Sequence, residues 1–184
     1  MHRHGRSDHH RAQLVARAST QGALASLGRA VLCAVVVLMT VAPAAAAQGF
    51  RLRTISGNPI AFPVPTEANY YAGFVTATAL LSFDVDARNA GAVLRNSSVT
   101  IRSTTGTMGG TKPIGDLLWR RSDLGVWNPM TTVDAVVEAK DIQKNGINDP
   151  WANSIEFRVV LSWANDPPAT HTPALVLTLT IAPP

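Results

Sequence analysis

Ser154 to Trp163 reads SIEFRVVLSW. Ile155, Phe157, Val159, Leu161 and Trp163 fall on one face of an extended chain, and Glu156, Arg158 and Ser162 on the other, with Val160 the one apolar exception. A period of two over such a length marks a strand with one buried and one wet face. Ala174 to Ile181, ALVLTLTI, repeats it, setting Leu175, Leu177, Leu179 and Ile181 against Val176, Thr178 and Thr180. Val75 to Val85, VTATALLSFDV, places Val75, Ala77, Ala79, Leu81, Phe83 and Val85 together. Shorter strands are expected in FRLRTI (Phe50–Ile55), SVTIR (Ser98–Arg102), DLLWR (Asp116–Arg120) and VDAVVEA (Val133–Ala139).

The connections carry turn chemistry: Gly57-Asn58-Pro59, Asn89-Ala90-Gly91, Gly109-Gly110, Asn145-Gly146 and Asn165-Asp166-Pro167-Pro168. Neither a helical stripe nor an internal repeat stands out. The expected fold is all-β, an antiparallel immunoglobulin-like sandwich of about seven or eight strands.

What precedes the strands is of a different kind. Arg3, Arg6, Arg11, Arg17 and Arg29 oppose a single Asp8, an apolar run follows from Ala30 to Ala42, and Pro43 leads into small residues at Ala45 and Ala47. This basic, apolar, small-residue order is that of a secretory signal peptide over 1–47, with cleavage between Ala47 and Gln48. The run is short for a bilayer span, which takes about 20 residues, so membrane contact is expected only through an uncleaved leader. The protein is therefore expected outside the cytoplasm: secreted, on the cell surface or in the periplasm.

Removing the leader removes the charge. Its five arginines and one aspartate account for the whole net charge of +4, so Gln48 to Pro184 is neutral overall. A nucleic-acid partner needs a basic footprint, and none remains. Cys33, the sole cysteine, also lies in the leader. The exported part thus has no disulfide, although many small exported domains depend on them. It forms one domain: a terminal strand and proline-bearing extended arm over 48–71, and a sandwich body over 72–184.

Motifs of catalysis are missing. There is no H-E-x-x-H and no G-x-S-x-G. GTMGGTKP, Gly106 to Pro113, breaks the phosphate-loop pattern at Thr111 and Pro113 and reads as a glycine-rich turn. Asp84 and Asp86 lie on the polar face of their strand and read as solvated acids. His171, between prolines, reads as a surface-loop residue. No enzyme and no resident cofactor is expected. Calcium is the one ion considered, at Asp141, Asn145 and Asp149 in DIQKNGINDP. That loop departs from the calcium pattern at Gln143, Lys144 and Ala152, so an Asn-Gly turn is the preferred reading.

PIGDLLWRRSDLGVWNPM, Pro113 to Met130, is read as a hairpin. Trp119 points into the sandwich, Asp123 sits at the turn, and Pro129 puts the return strand at an edge. Should the domain bind a ligand, Trp127 is the first platform, followed by Trp119 and Trp151, because aromatic faces stack on sugar rings.

A leader followed by alternating Leu/Val/Thr strands and closing on ALVLTLTIAPP (Ala174–Pro184) resembles bacterial secreted immunoglobulin-like surface proteins of the pilin or spore-coat type. The resemblance implies a structural or adhesive role, sometimes with a strand donated between subunits. The expectation is an exported, non-enzymatic surface or matrix subunit that self-assembles through terminal strands, FRLRTI being the mobile one. The alternative is a binding module for carbohydrate or another extracellular ligand.

Overall fold

The computed structural model describes residues 36–41, 49–91, 93–166 and 171–182. The chain is mostly β, with 50% of it in strands and 7% in helix. In chain order the strands are β1 (Val36–Val41), β2 (Phe50–Ser56), β3 (Ile60–Ala61), β4 (Phe74–Thr76), β5 (Leu81–Ala87), β6 (Arg95–Ser103), β7 (Leu117–Arg121), β8 (Asn128–Pro129), β9 (Ala135–Ile142), β10 (Trp151–Val160) and β11 (Ala174–Ala182). One sheet runs β3-β1-β11-β6-β9. The other runs β2-β5-β10-β7-β8, with β4 also paired to β10. Both contribute to a single core, in which Phe83, Ile101, Leu117, Ile155, Phe157, Leu175 and Leu177 have virtually no exposure. The architecture is sandwich-like, and all seven strands expected from alternation are present.

The structure differs from the sequence reading in several places. VTATALLSFDV is two strands: the Ala77 N–H still donates to the Phe157 carbonyl of β10 (2.9 Å), but Thr78 donates both its N–H and its hydroxyl to the Ala61 carbonyl (2.9 and 3.1 Å), which turns the chain away from β10 from Thr78 to Leu80. The arm is not extended throughout, because Glu67–Ala72 forms a helix, α1. Thr66 and Asn69 cap it reciprocally, and Gly73 closes it at φ 79°. Trp163 lies beyond the end of β10 and is 60% exposed instead of in the core. The expected antiparallel pairing fails at one place, where β1 runs parallel to β11, with Leu38 opposite Ala174 and Val41 opposite Leu177.

A bulge in the β6–β9 pairing, between Val99 and Thr100, puts two consecutive residues, Val137 and Glu138, in the interior. Glu138 is buried at 6% exposure and is held by Arg121 (3.3 Å), Lys140 (3.0 Å) and the Asn153 amide (2.5 Å). Asp84 and Asp86 are likewise buried instead of solvated. β2 lies across β5 with Arg53 opposite Asp84, so the guanidinium covers both acids and ion-pairs with Asp84.

Candidate functional site

Two places stand out, one made by backbone and one by side chains. The first is the β3-β1-β11 edge. β1 pairs with β3 through Val36–Ala61 and Val37–Ile60, and with β11 over four positions. It occupies an internal position in its sheet, yet it comes from the apolar run of the expected leader. The Ala47–Gln48 junction itself lies outside the described residues.

The second place is a cleft of about 350 Å³, mouth included, at one end of the molecule. Its walls are apolar: Phe62 from the arm, Tyr70 from α1, Val75 from β4, Val159 from the end of β10 and Leu161 just past it. Lys112, Asp166 and His171 reach it from loops. Lys112 is placed by a tight turn in which the Met108 N–H donates to the Lys112 carbonyl (2.9 Å). Gly109 and Gly110 turn the chain there, at φ 101° and 61°. A short 3-10 turn, Ile114–Asp116, then brings Asp116 back over the lysine. Asp166 closes the turn after β10: its N–H donates to the Ser162 carbonyl (3.0 Å), and its Oδ2 accepts from the Ser162 N–H (2.7 Å). Tyr70 donates its hydroxyl to the Asp166 carbonyl (3.2 Å).

The Lys112 Nζ then sits between two carboxylates, 2.5 Å from Asp166 Oδ1 and 2.9 Å from Asp116 Oδ2. The Lys112 and Asp166 side chains are 4% and 9% exposed, whereas Asp116 at 36% forms the rim. His171 is not on open surface; its Nδ1 is buried and without a hydrogen-bond partner. Outside the cleft, Trp163 stacks on Tyr70 with ring centroids 4.4 Å apart, and Tyr71 meets it edge-on at 5.9 Å. Tyr71 is 77% exposed.

The residues singled out from sequence are scattered. Trp119 and Trp151 are each 4% exposed and belong to the core. Trp151 donates Nε1–H to Ser97 (3.3 Å) and packs edge-on against Phe83. Trp127 is half-buried, with the Arg120 and Arg158 guanidiniums 4.5 and 4.3 Å from its ring centre, so its indole is already in contact with two cations. Arg120 is in turn held by Glu156 (2.6 Å). In the Asn145 loop, Asp149 accepts backbone N–H bonds from Ala87 (2.9 Å) and Asn145 (2.6 Å), and the Asn148 amide donates to the Asp141 carbonyl (2.7 Å). The carboxylate thus serves the turn. No group of three or more His, Cys, Asp or Glu poised for a metal occurs among the described residues.

Sequence reasoning missed Trp163 because alternation was extended past the strand end. It missed the Lys112–Asp166 pair because the two residues come from separate loops with no shared motif. Comparison with known protein families and with curated proteins finds no match to this sequence.

Proposed function

We propose that the chain is an exported, non-enzymatic structural subunit of a surface or extracellular assembly, an immunoglobulin-like sandwich completed by a strand between β3 and β11. One observation supports the reading: β1, the strand in that position, lies in the apolar run of the segment expected from its sequence to be a cleavable leader. Cleavage after Ala47 takes β1 away. The N–H and C=O groups that β11 directs at β1 then lose their partners, beside the buried Leu175 and Leu177. An unpaired edge of this kind is a template for strand addition. The first strand of the cleaved chain, β2, is the donor. It stands at the outer edge of its own sheet with β5 as its one strand neighbour, and a second copy's edge can take it up.

The test is light scattering on protein beginning at Gln48. Concentration-dependent multimers are expected, capped by a synthetic Val36–Val41 peptide and lost on deletion of Phe50 to Ile55, with the β circular-dichroism signal retained. A folded monomer at every concentration overturns the reading, as does secreted protein that still carries Val36–Val41 by intact mass.

A second reading, an extracellular glycan-binding module, has one observation in its favour. The exposed Tyr71–Trp163 pair beside the cleft offers ring faces next to polar groups, the arrangement that suits a pyranose. A glycan array with parent and Trp163→Ala protein decides it: binding lost in the variant supports a lectin-like site, and no binding by the parent removes it.

A further inference from the structure

We propose that Arg158, seconded by Arg120, is a receptor for an organic monocarboxylate on the outer face of the β2-β5-β10-β7-β8 sheet, with Phe74 and Trp127 holding its guanidinium in place. The inference is independent of the assembly reading and of the Tyr71–Trp163 pair. It starts from β10. Phe157 and Val159 are buried in the core, so Arg158 between them points outward. Its strand neighbours are Leu118 of β7 on one side and Thr76 of β4 on the other, which sets it inside the sheet face and away from the edges. The Phe74 and Trp127 ring centres lie 4.8 and 4.3 Å from its guanidinium carbon. Arg120 brings a second guanidinium to 4.5 Å from the same indole.

The side chain differs from other arginines of the domain in three ways. Arg53, Arg88, Arg102, Arg120 and Arg121 each meet a carboxylate, whereas Arg158 has no ion pair among the described residues. Its Nε is closed off from solvent and has no hydrogen-bond acceptor. A charged donor in that condition has given up hydration without recompense. An arriving anion therefore displaces less water and feels a stronger field than at a fully wet arginine. Finally, aromatic rings interact with a guanidinium through its charge. They accept none of the N–H bonds that fan out in its plane, and a carboxylate has the two oxygens that match this fork.

Charge selects the ligand. Glu156 lies 2.6 Å from Arg120 Nε and offsets that cation, so two arginines against one glutamate leave a single positive charge. A carboxylate matches it, whereas a doubly charged phosphate would also face the Glu156 carboxylate. Phe74 and Leu118 are half-buried, and Val126, next to Trp127 in the chain, is 71% exposed. These apolar surfaces suit an acid carried on an apolar or ring-shaped body.

NMR titration tests the site, following the Arg158 Nε–H signal and the backbone amides of Leu118 and Thr76. The probes are benzoate, an apolar acid, and glucuronate, a sugar acid, with inorganic phosphate and chloride as controls. Saturable shifts at these positions with one or both carboxylates are expected, and whichever binds more tightly names the source. Arg158→Lys keeps the charge and removes the fork, and should weaken binding at least about tenfold, the loss of a charge-assisted hydrogen bond. Glu156→Gln releases Arg120 and should tighten carboxylate binding several-fold; a gain of this kind cannot come from a damaged fold. No saturable shift with either acid overturns the proposal, as does equal binding by Arg158→Lys. Phosphate bound as tightly as the acids overturns the monocarboxylate assignment, and Glu156→Gln without a gain overturns the part given to Arg120.

Discussion

Trp119 and Trp127 belong to one hairpin and meet different surroundings. Trp119 shares its face of β7 with Leu117 and is buried opposite Phe157 of β10. Its truncation leaves a cavity between the sheets, and Trp119→Ala should cost about 3–5 kcal/mol. Trp127 touches arginines at the half-wet outer face of the sheet, where Trp127→Ala should cost clearly less. Urea titration of both variants checks the difference, and equal losses would place Trp127 in the core. Nearby, the Arg121 guanidinium bonded to Asp123 holds that exposed carboxyl below the usual aspartate range. A lowered folded-state value means a small stabilisation present above the unfolded value and lost as pH falls through the folded one. NMR titration should find the Asp123 midpoint shifted down in the parent and restored in Arg121→Ala.

At the scale of elements, two loop-level devices hold neighbouring structure. The Thr66–Asn69 capping box starts a helix with no buried residue, so α1 depends on its caps and on Tyr70 against Trp163. Thr66→Ala should cost about 1 kcal/mol, and the change should appear in Trp163 fluorescence. Asp149 ties the Asn145 turn to the end of β5 through the Ala87 N–H. Its replacement by Ala leaves the N–H of the buried Ala87 without a partner, while the exposed Asn145 N–H turns to water, and should cost about 1–3 kcal/mol. The loss should be identical with calcium and with chelator in thermal unfolding. A calcium-dependent loss would return the loop to the metal reading of Asp141, Asn145 and Asp149.

For the whole molecule, the consequence lies in the β3-β1-β11 edge. A chain that includes Val36–Val41 has β11 paired on both sides, with β6 and with β1. A chain beginning at Gln48 has it paired only with β6. Hydrogen exchange should therefore be faster in the Leu175–Leu177 amides that point to the β1 side, in the shorter chain and at low concentration. Protection should return on self-assembly or on addition of the Val36–Val41 peptide. Protection independent of both would mean that β11 is stable as an edge and needs no added strand.

The alternation at Leu175, Leu177 and Leu179, and at Ile155, Phe157 and Val159, was enough to determine an all-β chain, because a period of two is a local property of each strand. Local chemistry also made Trp119 a core residue, Pro129 an edge residue and Gly106–Pro113 a turn. The basic, apolar, small-residue order of residues 1–47 was equally local. What only tertiary structure decided concerns partners that the sequence separates. Arg53 buries Asp84 through the β2–β5 register, a bulge turns Glu138 inward, and β1 enters a sheet from a segment read as disposable. Trp163 left the core because β10 ends at Val160, a boundary that alternation does not mark. Lys112 and Asp166 meet because two loops at one end of the sandwich fold over the same apolar cleft. Their proximity is set by strand order and packing, and no spacing within either loop encodes it.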